Sequence, residues 1–274
     1  VRLTKVRALT LLAAGAAAAL LAGCSSSGGG DAGDSGSAPS TPASSASTPI
    51  TGTLTISAAS SLTGTFDQIK ADLVKANPGL TINISYAGSD ALAAQINAGA
   101  PVDVFAAASD ATMTTVSSAG NIVGTPTRFA TNVLEIAVPP SNPANITGLA
   151  DLVKPGVKLD LCAATVPCGA AATKVFAAAN LTPTPVSLEP DVKTVLTKVQ
   201  LNEVDAGLVY KTDVLAAGTA VKGINFPEAQ NAVTNYPIGV VKNAPNATAA
   251  SAFVAYVLSP AGQKVLSAAG FSAP

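Results

Sequence analysis

The chain has 274 residues, 48% of them hydrophobic, with 15 lysines and arginines against 16 aspartates and glutamates, no histidine and three cysteines. A formal net charge of -1 supplies no basic surface for nucleic acid or an anionic membrane. Without histidine, neither a Ser-His-Asp or Cys-His device nor a Cys/His zinc site can be built.

Arg2, Lys5 and Arg7 lead into an apolar run from Ala8 to Leu20, shorter than the roughly 20 residues that span a bilayer. Residues 1–23 are therefore expected to be a signal peptide. It ends in Leu21-Ala22-Gly23-Cys24, which resembles a lipobox, so Cys24 is expected to be acylated and to tether the mature chain outside the membrane. Residues 24–52 hold Ser, Gly, Ala, Thr and Pro with almost no large apolar side chain. They bury too little surface to offset ordering entropy and read as a disordered linker.

Strands and helices alternate from there on, which predicts an α/β fold with largely parallel sheets. A strand at Leu54–Ser57 precedes a helix with Leu62, Phe66, Ile69 and Leu73 on one face, stopped by Asn77-Pro78-Gly79. A strand over Thr81–Tyr86, a helix with Leu92 and Ile96, a strand Asp103–Phe105 and a helix capped by Ser109-Asp110 follow. Asn132–Val138 reads as a long apolar strand followed by Pro139-Pro140, where the chain could pass into a second lobe. There Val157–Leu161, a helix from Cys168 to Ala179, a strand Val186–Leu188, a helix from Asp191 to Val199 and Gly207–Tyr210 are expected. Pro237–Val241 carries the chain back, and two helices, one after Asn246 and one from Ser259-Pro260, dock on the first lobe. The expected boundaries are 53–132 plus 233–274 for lobe 1 and 133–232 for lobe 2, joined by two crossing strands.

Four helix starts, at Ser61, Ser89, Cys168-Gly169 and Asp191-Val192, would converge on the crevice between the lobes. Their free N–H groups and partial positive charge suit an anion without any Lys or Arg, and the hydroxyls of Ser61, Ser89 and Tyr210 could complete the shell. The competing reading makes both serines helix caps and Tyr210 packing. Asp90, Asp103, Asp110 and Asp191 sit near helix starts, where they complement the dipole. If Cys24 carries lipid, Cys162 and Cys168 remain in an oxidising compartment, where a disulfide is expected and two separate buried thiols are the alternative.

The runs Ala59-Ser60-Ser61-Leu62-Thr63, Ala87-Gly88-Ser89, Leu92 to Phe105 and Gly207-Leu208-Val209-Tyr210-Lys211-Thr212-Asp213 resemble the periplasmic molybdate-binding proteins of ABC importers, from about Thr53 to the C-terminus. The resemblance implies a two-lobed type II periplasmic-binding-protein fold, each lobe a mostly parallel sheet flanked by helices. It also implies an oxyanion held by hydrogen bonds from Ser61, Ser89, Cys168, Val192 and Tyr210. Cys168 departs from the family, where alanine is common, but the backbone N–H is what serves there.

The chain is thus expected to be no enzyme. It is expected to be a lipid-anchored, monomeric binding protein on the extracytoplasmic face of the cell membrane, without a cofactor. Molybdenum would be held only as molybdate, with tungstate as a further ligand and an ABC permease as partner. Sulfate or thiosulfate binding in the same fold is the alternative, and a Ser-dependent hydrolase or a protein-binding scaffold the more distant rivals. A site made only of donors also selects against hydrogen phosphate, whose O–H needs an acceptor.

Overall fold

Strands and helices alternate along residues 49–274, the part of the chain that the computed structural model describes. The expected signal peptide, Cys24 and most of the linker lie outside the described residues. In chain order the elements are β1 (Gly52–Ala59), α1 (Thr63–Ala76), β2 (Leu80–Ala87), α2 (Ser89–Asn97), β3 (Val104–Ala106), α3 (Asp110–Ser118), β4 (Thr127–Asn132) and β5 (Leu134–Val138). Then come β6 (Leu159–Cys162), α4 (Pro167–Ala178), β7 (Ser187–Glu189), α5 (Val192–Gln200), β8 (Ala206–Tyr210), α6 (Lys211–Ala217) and β9 (Lys222–Ile224). The last are β10 (Thr234–Val240), α7 (Ala247–Leu258) and α8 (Pro260–Ala268).

Local chemistry sets the ends of these elements. The helical face predicted for α1 is the buried one, Phe66, Ile69 and Leu73, and the Asn77 amide closes the helix by donating to the Leu73 carbonyl at 2.9 Å. Ser109, Asp191, Asn246 and Ser259 each accept a first-turn N–H at the starts of α3, α5, α7 and α8. Each such cap is worth about 1 kcal/mol.

Two five-stranded sheets result, ordered β2-β1-β3-β10-β4 and β7-β6-β8-β5-β9. In each, three neighbouring strands are parallel, and the fourth, β10 or β5, is antiparallel to both of its neighbours. The sheets are therefore mixed, with the reversed strand always the one that follows a passage between them. The first passage differs from expectation. Asn132–Val138 is not one strand: Asn132 ends β4 in the first sheet and Leu134 begins β5 in the second, with Val133 between. The return strand expected at Pro237–Val241 is β10, which begins earlier, at Thr234, and a 3-10 turn, Pro227–Ala232, leads into it, where Pro227 lacks the N–H a ladder needs.

Apolar side chains cover both faces of each sheet. Phe66, Phe129 and Phe253 interlock on one face of the first, Phe66 and Phe253 edge-on at 5.4 Å, while Leu92, Ile96, Met113 and Val116 from α2 and α3 fill the other. A separate core, with Val195, Val199, Val175 and Phe176, encloses the second sheet.

One buried carboxyl stands out in that second core. Asp160 on β6 is fully buried, and neither of its oxygens has a hydrogen-bond partner. Burial, reinforced by the Glu189 carboxylate on the adjacent strand, pushes it up to about 6. Its favourable contribution to stability is thus complete below its unfolded value of 3.8 and is lost as pH rises through about 6. Asp160→Asn is expected to flatten this slope, raising the melting temperature at pH 7.5 but not at pH 4 relative to the parent, as read by scanning calorimetry across about that pH range.

Candidate functional site

Six strand ends meet where the two sheets face each other. The carboxyl ends of β1, β2 and β3 supply Ser61, Ser89 and Ala108, and those of β6, β7 and β8 supply Cys168, Val192 and Tyr210, all lining one small cavity. Loops beyond carboxyl strand ends are where open α/β sheets bind ligands. No side chain of Lys, Arg, Asp or Glu lines it, and among the described residues no group of three or more His, Cys, Asp or Glu could hold a metal ion. All five residues singled out from the sequence are here.

Neither serine caps its own helix. Ser61 lies in a 3-10 turn, Ser60–Leu62, that precedes α1, and Ser89 is the first residue of α2 behind Gly88; no side-chain cap bond forms at either start. Both are buried, and both hydroxyls are engaged elsewhere. Ser61 Oγ lies 2.9 Å from Tyr236 Oη, and Ser89 Oγ accepts the Ala108 N–H at 3.0 Å.

Tyr210 is 1% exposed, yet its phenol oxygen has no hydrogen-bond partner. Burial raises its pKa well above the ordinary phenol value, so it stays protonated and keeps a proton to give. An unsatisfied buried hydroxyl costs about 1–3 kcal/mol, which a bound acceptor would recover. The residue is held in place from behind: its N–H donates to Asp213 Oδ2 at 3.1 Å, and fully buried Asp213 pairs with Lys193 at 2.7 Å. Burial raises the Asp213 pKa and the Lys193 ammonium opposes it.

The remaining donors are main-chain. Cys168 and Val192 occupy the first turns of α4 and α5, and among the described residues their N–H groups meet no protein acceptor. Asp191 takes the next two N–H groups of α5, those of Lys193 and Thr194, leaving that of Val192 free while its side chain packs in the core. Cys168 is bonded to Cys162, Cα to Cα 5.8 Å, so the loop between β6 and α4 is closed on itself. Gly169 makes this possible: a Cβ there would stand 2.0 Å from the Ala163 carbonyl oxygen. Reducing the bridge is expected to cost about 2 kcal/mol of stability, seen as a lower melting temperature with reductant that Cys162→Ser plus Cys168→Ser reproduces without it.

The halves touch at the rim of the cavity. A Cβ on Gly88 would lie 2.4 Å from the carbonyl oxygen of Pro190, which precedes α5 in the other half. Asp90 Oδ1, next to Gly88, is buried there without a partner.

The family model for bacterial extracellular solute-binding proteins matches residues 54–272, nearly all of the described chain. The chain belongs to that family. This solute-binding protein is 41% identical over 222 residues to the molybdate-binding protein ModA of Mycobacterium tuberculosis, covering 81% of this chain and 85% of the relative. Its fold matches the substrate-binding domain of a putative molybdenum ABC transporter from Clostridium difficile, with a TM-score of 0.62, 29% identity and 81% and 99% of the two chains covered. The periplasmic molybdate-binding protein of Azotobacter vinelandii superposes with a TM-score of 0.71 at 19% identity, covering 81% and 99%. As a family member, the solute-binding protein acts outside the cytoplasm, is not an enzyme, and carries its ligand as cargo rather than as a cofactor.

Four residues that shape the site were not found from sequence: Tyr236 and Ala108, which engage the two serines, and Gly88 and Pro190, which meet across the rim. Ser61 and Tyr236 are 175 positions apart, and no local pattern joins them.

Proposed function

We propose that this chain captures molybdate, and tungstate likewise, between its two halves and delivers it to a membrane ABC permease. The unpartnered, protonated phenol of Tyr210 carries the reading: a buried donor with nothing to give to is what a fully ionised oxyanion would satisfy. Around it the hydroxyls of Ser61 and Ser89 and the N–H groups of Cys168 and Val192 complete a shell of donors, without a cation to neutralise the guest. Charge-assisted hydrogen bonds are worth about 1.5–3 kcal/mol each, so five or so can offset the desolvation of a dianion and leave micromolar or tighter binding. The ModA relatives support molybdate as the guest.

In this reading residues 53–132 with 233–274 and residues 133–232 close as two bodies about Val133 and the 225–233 return. Ser61 and Ser89 hold the anion first, and Cys168, Val192 and Tyr210 arrive with closure. The Cys162–Cys168 bridge keeps the Cys168 N–H aimed at the guest. Acylated Cys24 anchors a monomer to the outer face of the membrane, with the linker that follows ending before Ile50, which packs on the first core, and Gly52, which begins β1.

Isothermal titration calorimetry with molybdate, tungstate, sulfate and hydrogen phosphate tests the ligand. Molybdate and tungstate are expected to bind at micromolar or lower concentration and hydrogen phosphate at least about a hundredfold more weakly. Preference for hydrogen phosphate, or no binding of any oxyanion, overturns the proposal. Labelling with a radioactive fatty acid in the native host, abolished in Cys24→Ala, checks the anchor.

A further inference from the structure

A serine hydroxyl brings one proton and two lone pairs, so what it offers a guest depends on what the protein has already taken. At Ser89 the Ala108 N–H occupies a lone pair, because a backbone amide can only donate. At Ser61 the neighbour is Tyr236 Oη at 2.9 Å, in a bond where either oxygen could be the donor. Three observations decide its direction. Tyr236 is fully buried, and Ser61 Oγ at 2.9 Å is the one group that meets its phenol in full hydrogen-bond geometry among the described residues, the Asn132 amide and the Tyr210 phenol being less well placed neighbours. A phenol is a stronger donor than acceptor, so turning the bond round would leave its proton buried without a well-placed acceptor. And the ring cannot swing away. It is packed edge-on by Phe129 at 6.2 Å, Tyr210 at 6.0 Å and Phe271 at 5.2 Å, which hold the phenol on Ser61.

We infer that Tyr236 is a positioning and specificity-determining residue: it donates to Ser61 Oγ and thereby turns the serine proton into the cavity. Ser61 then matches Ser89, each with a lone pair filled by a protein donor. A guest that carries its own proton can reach the second lone pair of Ser61 only with the serine proton turned out of the cavity, where no acceptor among the described residues takes it. Tyr236 itself touches no ligand; it acts through Ser61. Its pKa lies far above the ordinary phenol value because it is buried and faces Tyr210, so the donor persists at every pH the cell surface meets. The inference rests on the oxyanion reading above.

Tyr236→Phe, titrated with molybdate and with hydrogen phosphate at pH 8, is the test. Molybdate affinity is expected to fall about tenfold and hydrogen phosphate affinity less than about threefold, narrowing the gap between two dianions of similar shape. In a Ser61→Ala background the same substitution is expected to change molybdate affinity less than about twofold, because the residue through which it acts is gone. Equal weakening of both ligands, or the full loss persisting without Ser61, would make Tyr236 mere packing and overturn the inference. Should Tyr236→Phe not fold, Ser61→Ala with ¹³Cζ-labelled tyrosine decides. Among the four tyrosines the Tyr236 resonance is expected to move most, and an unmoved resonance overturns the inference. The parent chain is titrated first. If it binds no oxyanion, the function and this inference fall together; if it binds and the variants behave as packing changes, the inference alone falls.

Discussion

Gly88→Ala is expected to weaken molybdate binding at least about a hundredfold while lowering the melting temperature of the ligand-free protein by no more than a few degrees. The added carbon would stand 2.4 Å from the Pro190 carbonyl oxygen, and both sides of that clash are backbone, which cannot rotate away. Asp90 Oδ1, at 2.7 Å, is the flexible part and can yield. Relief therefore has to come from the halves standing about 1 Å farther apart, and hydrogen bonds near 2.9 Å do not survive that displacement. Donors on the second half, Cys168, Val192 and Tyr210, would lose their reach, while Ser61 and Ser89 would keep theirs. Residual weak binding is thus the expected pattern, measured by calorimetry beside a melt without ligand. Parent-like affinity would mean that the halves need not approach at this point.

Ser61→Ala and Ser89→Ala are each expected to lower molybdate affinity about 10- to 100-fold, the worth of one hydrogen bond to a charged acceptor. Their side effects should differ. Removing Ser89 Oγ takes the acceptor from the Ala108 N–H, and removing Ser61 Oγ takes the acceptor from the Tyr236 phenol, so each also leaves a buried donor unpaired. Ligand-free stability should fall by about 1–3 kcal/mol in each case, read by denaturant titration. Full affinity in both variants would place the guest elsewhere.

How much of this was legible depends on whether a feature is written locally. The buried stripe of α1, the stop at Asn77, and the caps of α3, α5 and α8 follow from spacings of three or four residues, and the structure has them there. β4 was missed because Thr127-Arg128-Phe129-Ala130-Thr131-Asn132 lacks a run of β-branched apolar residues; its place beside β10, with Thr131 bridged to Ser272 on its other edge, is set by tertiary pairing. β9 is only Lys222-Gly223-Ile224, held by β5, and α6 is too short to show a period. The division of Asn132–Val138 between two sheets turns on a single residue, Val133, which no propensity marks.

The site was legible to a different depth. Its five residues could be picked out because each follows a strand, and parallel strands deliver their ends to one side. What holds those residues was not. Tyr236 reaches Ser61 from 175 positions away, and Gly88 meets Pro190 only once the fold has brought two separate βα junctions face to face. The competing cap reading would tie the serines to their own helices, whereas main-chain geometry at Ala59 and Gly88 leaves both side chains free of that duty.

The cavity wall without ionised side chains has an ecological reading. Dissolved salt screens attraction between exposed charges more than about 8–10 Å apart at ordinary strengths, but acts far less on buried amide and hydroxyl dipoles in contact with their guest. A scavenger built this way should grip its rare anion about as firmly in brine as in rainwater, a useful property for something that works in a medium the cell does not control.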